Sequence, residues 1–394
     1  MTDAVQPDAR VAQNTCHHIS TSRLDPGARP RFEYLDGLRG VAAVVVVVSH
    51  FLSAFVPALV PEIASHNPSP LADTPLAVLW NGRFAVVIFF ILSGFVVASS
   101  AVKRRGPLFL RLVLRYLRLA IPVLVSVLIA WVLLKLTPGV PAPYLAHPAS
   151  PWVLQLVTGS APGLAHALSE GTFRFIVRGH SAINVPIWSM KLEIAGSLLL
   201  YTLYRLPGRA PVRLLIVLAL LTPWGRFSLY EGFWLGALLR ELWLRRELHM
   251  RWAPLFFAVG LLLGAPSDGF SKRAHLPHWC TALTLGDFTS LYAVLAALTV
   301  VAALFCSSKL QRFFNATPCQ FLGRISFALY LLHVPLLSVA LRSRLLLEVP
   351  SILVLLSLWL PLFLLLSIGL GYIGTVTFDE PVVRFNRRME KRFS

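Results

Sequence analysis

Apolar stretches of bilayer length recur along the chain from about residue 38 onward, each broken by a short polar or basic segment. The first runs from about Leu38 to Val60 and is rich in valine. At about 1.5 Å per residue it is long enough to cross a hydrocarbon core of about 30 Å. Further stretches fall at roughly 84 to 100, 119 to 136, 187 to 204, 211 to 223, 227 to 240, 252 to 265, 288 to 306, 321 to 340 and 351 to 373, ten in all with the first. A segment in lipid must satisfy its own backbone donors and acceptors, so such runs predict helices. The expected fold is therefore all-α, a polytopic transmembrane helical bundle of about 10 spans over residues 34–385. Residues 1–33 mix Pro, Asp, Ser and Arg with no periodic apolar face and read as a flexible cytoplasmic tail; residues 386–394 read as a short basic one. The first run lacks a small-residue cleavage signature and has many successors, so it reads as an anchor rather than a removed signal peptide.

Composition supports that class. The chain has 394 residues, 56% of them hydrophobic and only 14% charged, too few charges to cover a soluble surface of this size. Lys and Arg outnumber Asp and Glu by 36 to 18. These cations sit in short stretches between apolar runs rather than on a polar module, which argues against a nucleic-acid partner and for cytoplasmic loops in contact with membrane lipids. With the N-terminus inside, alternate sides divide the basic residues 26 to 10, which places both termini in the cytoplasm. The longest connection, about 137–186, then lies outside, as a lid over an acceptor site or as an ordinary external loop. Cys16, Cys280, Cys306 and Cys319 show neither ligand spacing nor a disulfide framework, so no metal is expected.

With no soluble catalytic domain or nucleotide-binding glycine loop, any chemistry must be built inside the bundle. Arg39 and His50 lie eleven positions apart on the first helix, so they point the same way, about 16 Å apart along the axis. One belongs at the cytoplasmic edge and the other near mid-membrane, where a histidine needs a partner or a wet cavity. Glu193, in IWSMKLE, and His333, in FLGRISFALYLLH, count to similar depths from opposite faces. A neutral histidine can take a proton from a hydroxyl attacking an activated carbonyl while a carboxylate fixes its tautomer. His50 is thus the candidate base and Glu193 the favoured orienting group, with His333 positioning the acceptor or sharing a proton. A proton relay in a transporter and a structural polar network use the same groups. Ser93 is a candidate hydrogen-bond donor in the cavity. Lys103, Arg104, Arg105, Arg111, Arg115 and Arg118 form the densest cationic segment. Guanidinium groups pair with phosphate oxygens, so Arg115 and Arg118 are candidates for the phosphates of an acyl donor, joined by Arg39 with Asp36 one turn away. Contact with anionic lipid and control of topology is the competing role for Lys103 to Arg105.

The segments YLDGLRGVAAVVVVVSH, FFILSGF, RYLRLAIP, IWSMKLE, FLGRISFALYLLH and FDEP, in that order from about residue 33 to 385, resemble the integral-membrane acyltransferases called acyltransferase-3. That resemblance implies acyl transfer from acetyl-CoA, or another short-chain acyl-CoA, on the cytoplasmic side. It implies as acceptor the hydroxyl of a saccharide, lipid-linked sugar or polysaccharide, or alternatively a macrolide or other small metabolite. It makes His50 the catalytic histidine, gives roles to Arg39, Arg115, Arg118 and Glu193, and adds Ser93, Trp188 and His333 as substrate-binding residues. A bacterial inner membrane is the expected location. Two departures stand out: Lys191 where an apolar residue is usual, and Phe327 where an aromatic hydroxyl is common. The rival readings are a proton-coupled transporter and a noncatalytic membrane scaffold.

Overall fold

The computed structural model describes residues 32–60, 69–103, 107–140, 151–207, 209–221, 228–245, 248–264, 284–285, 289–343 and 351–393. Its helices are α1 (Glu33–Phe55), α2 (Gly82–Lys103), α3 (Leu108–Leu136), α4 (Pro151–Thr158), α5 (Leu164–Ser169), α6 (Phe175–Arg178), α7 (Trp188–Leu203), α8 (Ala210–Leu221), α9 (Ser228–Leu244) and α10 (Ala253–Gly264). They continue as α11 (Leu291–Phe305), α12 (Ser308–Phe314), α13 (Thr317–Arg342), α14 (Ile352–Val354), α15 (Leu360–Gly374) and α16 (Glu380–Phe393). Wider π-helical turns at Glu170–Arg174, Leu355–Trp359 and Thr375–Asp379 join α5 to α6 and link α14, α15 and α16. Apart from a two-residue antiparallel pair, Thr284–Leu285 with Thr289–Ser290, the regular structure among the described residues is helical.

The apolar stretches coincide with helices, but their lengths separate them. Five are long and apolar enough to cross a membrane: α1, α2, α3, α13 and the continuous run Ile352–Arg392. α11 and α12 make a sixth if their 97° bend is counted within one span. α8 and α10 have 12 described residues each, about 18 Å of helix. Five or six of the ten expected stretches thus form helices of full crossing length among the described residues. Residues 1–31 and 394 of the two expected tails lie outside the described residues, but 386–393 are helical. Asn386 donates to the Leu114 carbonyl at 2.8 Å, fastening α16 to α3.

Lipid gives helices no hydrophobic reason to associate with one another, so close packing must hold them, and small residues permit it. α1 crosses α13 at Gly37, Gly40 and Gly323. A methyl group at Gly40 would stand 2.5 Å from the carbonyl carbon and 2.7 Å from the Cβ of Leu322. Gln320 closes the same junction, donating to the carbonyls of Glu33 at 2.8 Å and Phe314 at 2.6 Å. Phe32, Phe95, Trp243 and Phe305 interlock beside it, with Phe95 and Phe305 ring centres 4.6 Å apart.

Two interior prolines shape the helices that carry the site. Pro122 in α3 and Pro335 in α13 lack the backbone N–H that would bond four residues back. The Leu331 carbonyl, released by Pro335, takes a hydrogen bond from the Asn184 side-chain amide at 3.0 Å instead. Asn184 is fully buried and spends its second N–H on Ser126 Oγ of α3 at 3.1 Å. At the far end of α13 the buried Arg342 donates to the carbonyls of Leu156 and Thr137, both at 2.8 Å, and of Gly159. The described part of the long connection is therefore clamped to α13 at two levels.

Candidate active site

Two groups of polar side chains lie one above the other between α1, α3, α7 and α13. The lower is a cavity of about 240 Å³ whose lining includes Arg39, Ser93, Arg115, Arg118, Glu193, Arg324 and Asp379. Arg39 stands six residues into α1, about 9 Å from its start, and Arg115 seven residues into α3. Each of the four arginines is paired with a carboxylate. Arg39 reaches Asp36 at 3.3 Å, Arg324 reaches Glu380 at 2.7 Å, Arg115 bonds Glu193, and Arg118 bonds Asp379. Arg115 also donates through Nε to Ser197 Oγ at 3.0 Å, and Ser197 in turn donates to the Glu193 carbonyl at 2.6 Å. The Arg118 guanidinium lies over the Phe327 ring, 5.1 Å from its centre, so an aromatic face without a hydroxyl still serves this position.

The upper group is an imidazole pair. His50 Nδ1 and His333 Nε2 are 2.7 Å apart, and His333 Nδ1 lies 3.1 Å from the Leu329 carbonyl one turn back on α13. His333 is fully buried. The edge of Trp152, from α4, meets His50 with ring centres 5.2 Å apart. Tyr330, one turn below His333, lies between the two groups. It lines the cavity, its ring centre is 6.0 Å from that of His333, and its hydroxyl lies 2.9 Å from Ser189 Oγ and donates to the Pro186 carbonyl at 3.0 Å.

The structure brings Arg39, Arg115, Arg118, Glu193 and Ser93 to one cavity and His50 and His333 to one hydrogen bond. It does not pair Glu193 with His50: the carboxylate bonds Arg115, and the partner of His50 is His333. The depth count failed because α7 does not begin at a membrane face. Its second residue, Ser189, touches Tyr330, which lies about 20 Å along α13, so α7 starts within the bundle and carries Glu193 down to the arginines. Trp188 packs against the apolar core beside the cavity, whose lining takes the next two residues, Ser189 and Met190, instead. Lys191 points away and donates to the Val177 carbonyl at the end of α6, at 2.9 Å. Within the cationic segment, Arg111 is buried and donates to the Ala101 carbonyl at 3.2 Å, while Arg104 and Arg105 lie outside the described residues. Sequence reasoning missed Asp379, Arg324 and Tyr330. For Asp379 the signal was its place in FDEP; for Tyr330 it was the spacing of three from His333, which puts both on one helix face.

An arginine-lined cavity beneath an imidazole pair, set among helices of membrane-spanning length, is the polar centre of a membrane protein. The chain belongs to the acyltransferase-3 family, whose acyltransferase-domain model, Acyl_transf_3, matches residues 32–377. It is similar to the O-acetyltransferase PaAT-1 of Phomopsis amygdali, at 25% identity over 363 residues, covering 77% of this chain and 72% of that protein. No solved structure matches it.

Proposed function

We propose that this protein is an O-acyltransferase that moves a short acyl group, acetyl foremost, from acyl-coenzyme A on the cytoplasmic side to a hydroxyl of a saccharide or glycoconjugate, in a bacterial inner membrane with both termini cytoplasmic. The observation that carries the reading is that one helix, α1, places Arg39 in the arginine cavity and His50 in the imidazole pair, about 16 Å higher. That separation suits a donor with phosphates at one end and a thioester at the end of a long arm. Arg115 and Arg118, with Arg39, receive the phosphates through paired N–H donors. The arm rises past Ser93, Phe89 and Tyr330 toward His50. His50 takes the proton of the acceptor hydroxyl as its oxygen attacks the thioester carbonyl. The C–O bond forms, the C–S bond breaks, and the proton passes from His50 to the departing sulfur. Glu193 acts as the partner of Arg115 rather than of the base.

The test uses the full chain in lipid discs with labelled acetyl-coenzyme A and a panel of polysaccharide fragments, lipid-linked sugars and macrolides. Labelled ester is expected with one class of acceptor, absent in His50→Ala and diminished through donor binding when Arg115 and Arg118 are neutralised. Full turnover by His50→Ala sinks the base assignment. Movement of an acceptor across vesicle membranes with no ester formed favours the transporter reading.

A further inference from the structure

The imidazole pair has a direction. A backbone carbonyl only accepts hydrogen bonds, so the 3.1 Å contact to Leu329 requires the hydrogen of a neutral His333 to sit on Nδ1. His333 Nε2 then carries the lone pair, and the 2.7 Å contact requires His50 Nδ1 to carry the hydrogen. The lone pair of His50 is left on Nε2, which bonds no other described residue. The ring planes differ by only 17° and the ring centres are 5.0 Å apart, so the line between the bonded nitrogens runs close to both centres. The bond is in-line and nearly coplanar, the strongest geometry open to two imidazoles. Two further contacts flank the pair. Trp152 packs edge-on against His50, and Asn184 occupies the Leu331 carbonyl two residues before His333.

We propose that His333 is a positioning residue that locks His50 in the tautomer with a basic Nε2, and that it relays no proton during the reaction. The inference rests on the reading of His50 as the base and names how that base is prepared. The acceptor proton arrives at His50 Nε2. The imidazolium so formed keeps its Nδ1–H bonded to His333 Nε2, and the Nε2 proton leaves with the thiolate. A relay through His333 has no exit, because its far nitrogen faces an amide oxygen that does not take protons at any physiological pH. The lock needs an acceptor at the position of His333 Nε2 but not a second base, so a glutamine, whose Oε1 accepts, replaces it and an alanine does not.

Nitrogen NMR of the full chain in lipid discs, with ¹⁵N-labelled histidine assigned by loss of signal in His50→Ala and His333→Gln, reads the tautomers directly and needs no acceptor substrate. The expected result is an Nδ1–H tautomer at both residues, with nitrogen–nitrogen coupling across the hydrogen bond. His333→Gln retains the His50 tautomer, and His333→Ala gives a mixture. In acetyl transfer to whichever panel acceptor is esterified, His333→Ala is expected to lower kcat about 100-fold with KM for acetyl-coenzyme A unchanged, and His333→Gln to recover most of that loss. An Nε2–H tautomer at His50, or a glutamine variant as slow as the alanine one, overturns the proposal. Full activity of His50→Ala overturns the base reading instead and leaves the tautomer result standing, so the two failures are distinct.

Discussion

On the reading of the imidazole pair as the reaction centre, Gly40→Ala tests whether that centre depends on the approach of α1 to α13. The new methyl would meet the Leu322 carbonyl carbon at 2.5 Å and its Cβ at 2.7 Å, and would also press on the Gly323 amide nitrogen, where ordinary contact begins at 3.4 Å. These obstacles are backbone and Cβ atoms, so no side-chain rotation relieves them, and the helices must part by about 1 Å. Overpacking of this kind destabilises by about 1–3 kcal/mol. His50 and His333 sit on the same two helices, and an opening of about 1 Å stretches their 2.7 Å bond past hydrogen-bond range. A displacement of that size at a reaction centre lowers turnover by about 100-fold. The assays are thermal unfolding in detergent and acetyl transfer in lipid discs. Gly369→Ala is the control, because a methyl there meets nothing within 4 Å and alanine is the better helix former by about 1 kcal/mol. Turnover of Gly40→Ala within about twofold of the parent, with unfolding matching the Gly369 control, refutes the reasoning.

Arg342→Ala removes three charge-assisted hydrogen bonds from the carbonyls of Thr137, Leu156 and Gly159 and is expected to destabilise by about 3 kcal/mol, with Arg342→Lys recovering less than half, read as unfolding midpoints. Asn184→Ala should lose about 1–3 kcal/mol in the parent but much less in Pro335→Ala, where residue 335 regains an N–H for the Leu331 carbonyl; additive losses around this double-mutant cycle contradict the account of Pro335. On the acyl-coenzyme A reading, Asp379→Asn releases Arg118 and is expected to tighten coenzyme A binding severalfold with a steeper salt dependence in calorimetry, whereas Arg118→Gln weakens it; weaker binding in both rejects the pairing argument.

Much of the fold was legible because bilayer physics writes it in a simple alphabet of apolar runs. What the runs did not carry was where each helix begins relative to its neighbours. α8 and α10 are as apolar as α2 but have 12 described residues each against its 22, and α7 begins within the bundle, where Ser189 meets Tyr330, rather than at a membrane face. The chemistry was legible residue by residue on one helix, where Arg39 and His50 are tied by helical geometry. Partnerships between helices were not. His50 and His333 are 283 residues apart, and Arg118 and Asp379 are 261, so their meeting depends on the rotation of each helix about its own axis, which hydrophobicity constrains only loosely. The assignment of Glu193 to His50 failed because α7 starts within the bundle, level with Tyr330, so a depth counted from a membrane face placed the carboxylate too high.

The neutralised arginines change what the lower cavity selects. A chamber of bare guanidinium groups attracts any small anion and is seldom empty in a cell. Here Asp36, Glu193, Asp379 and Glu380 each hold one of the four cations, so an anion that enters meets carboxylates beside the guanidinium groups, and a single negative charge gains little against them. A molecule that presents several phosphates together can displace several carboxylates together. On the acyl-coenzyme A reading the resident acids therefore set a threshold, so that the site responds to the valence of its visitor.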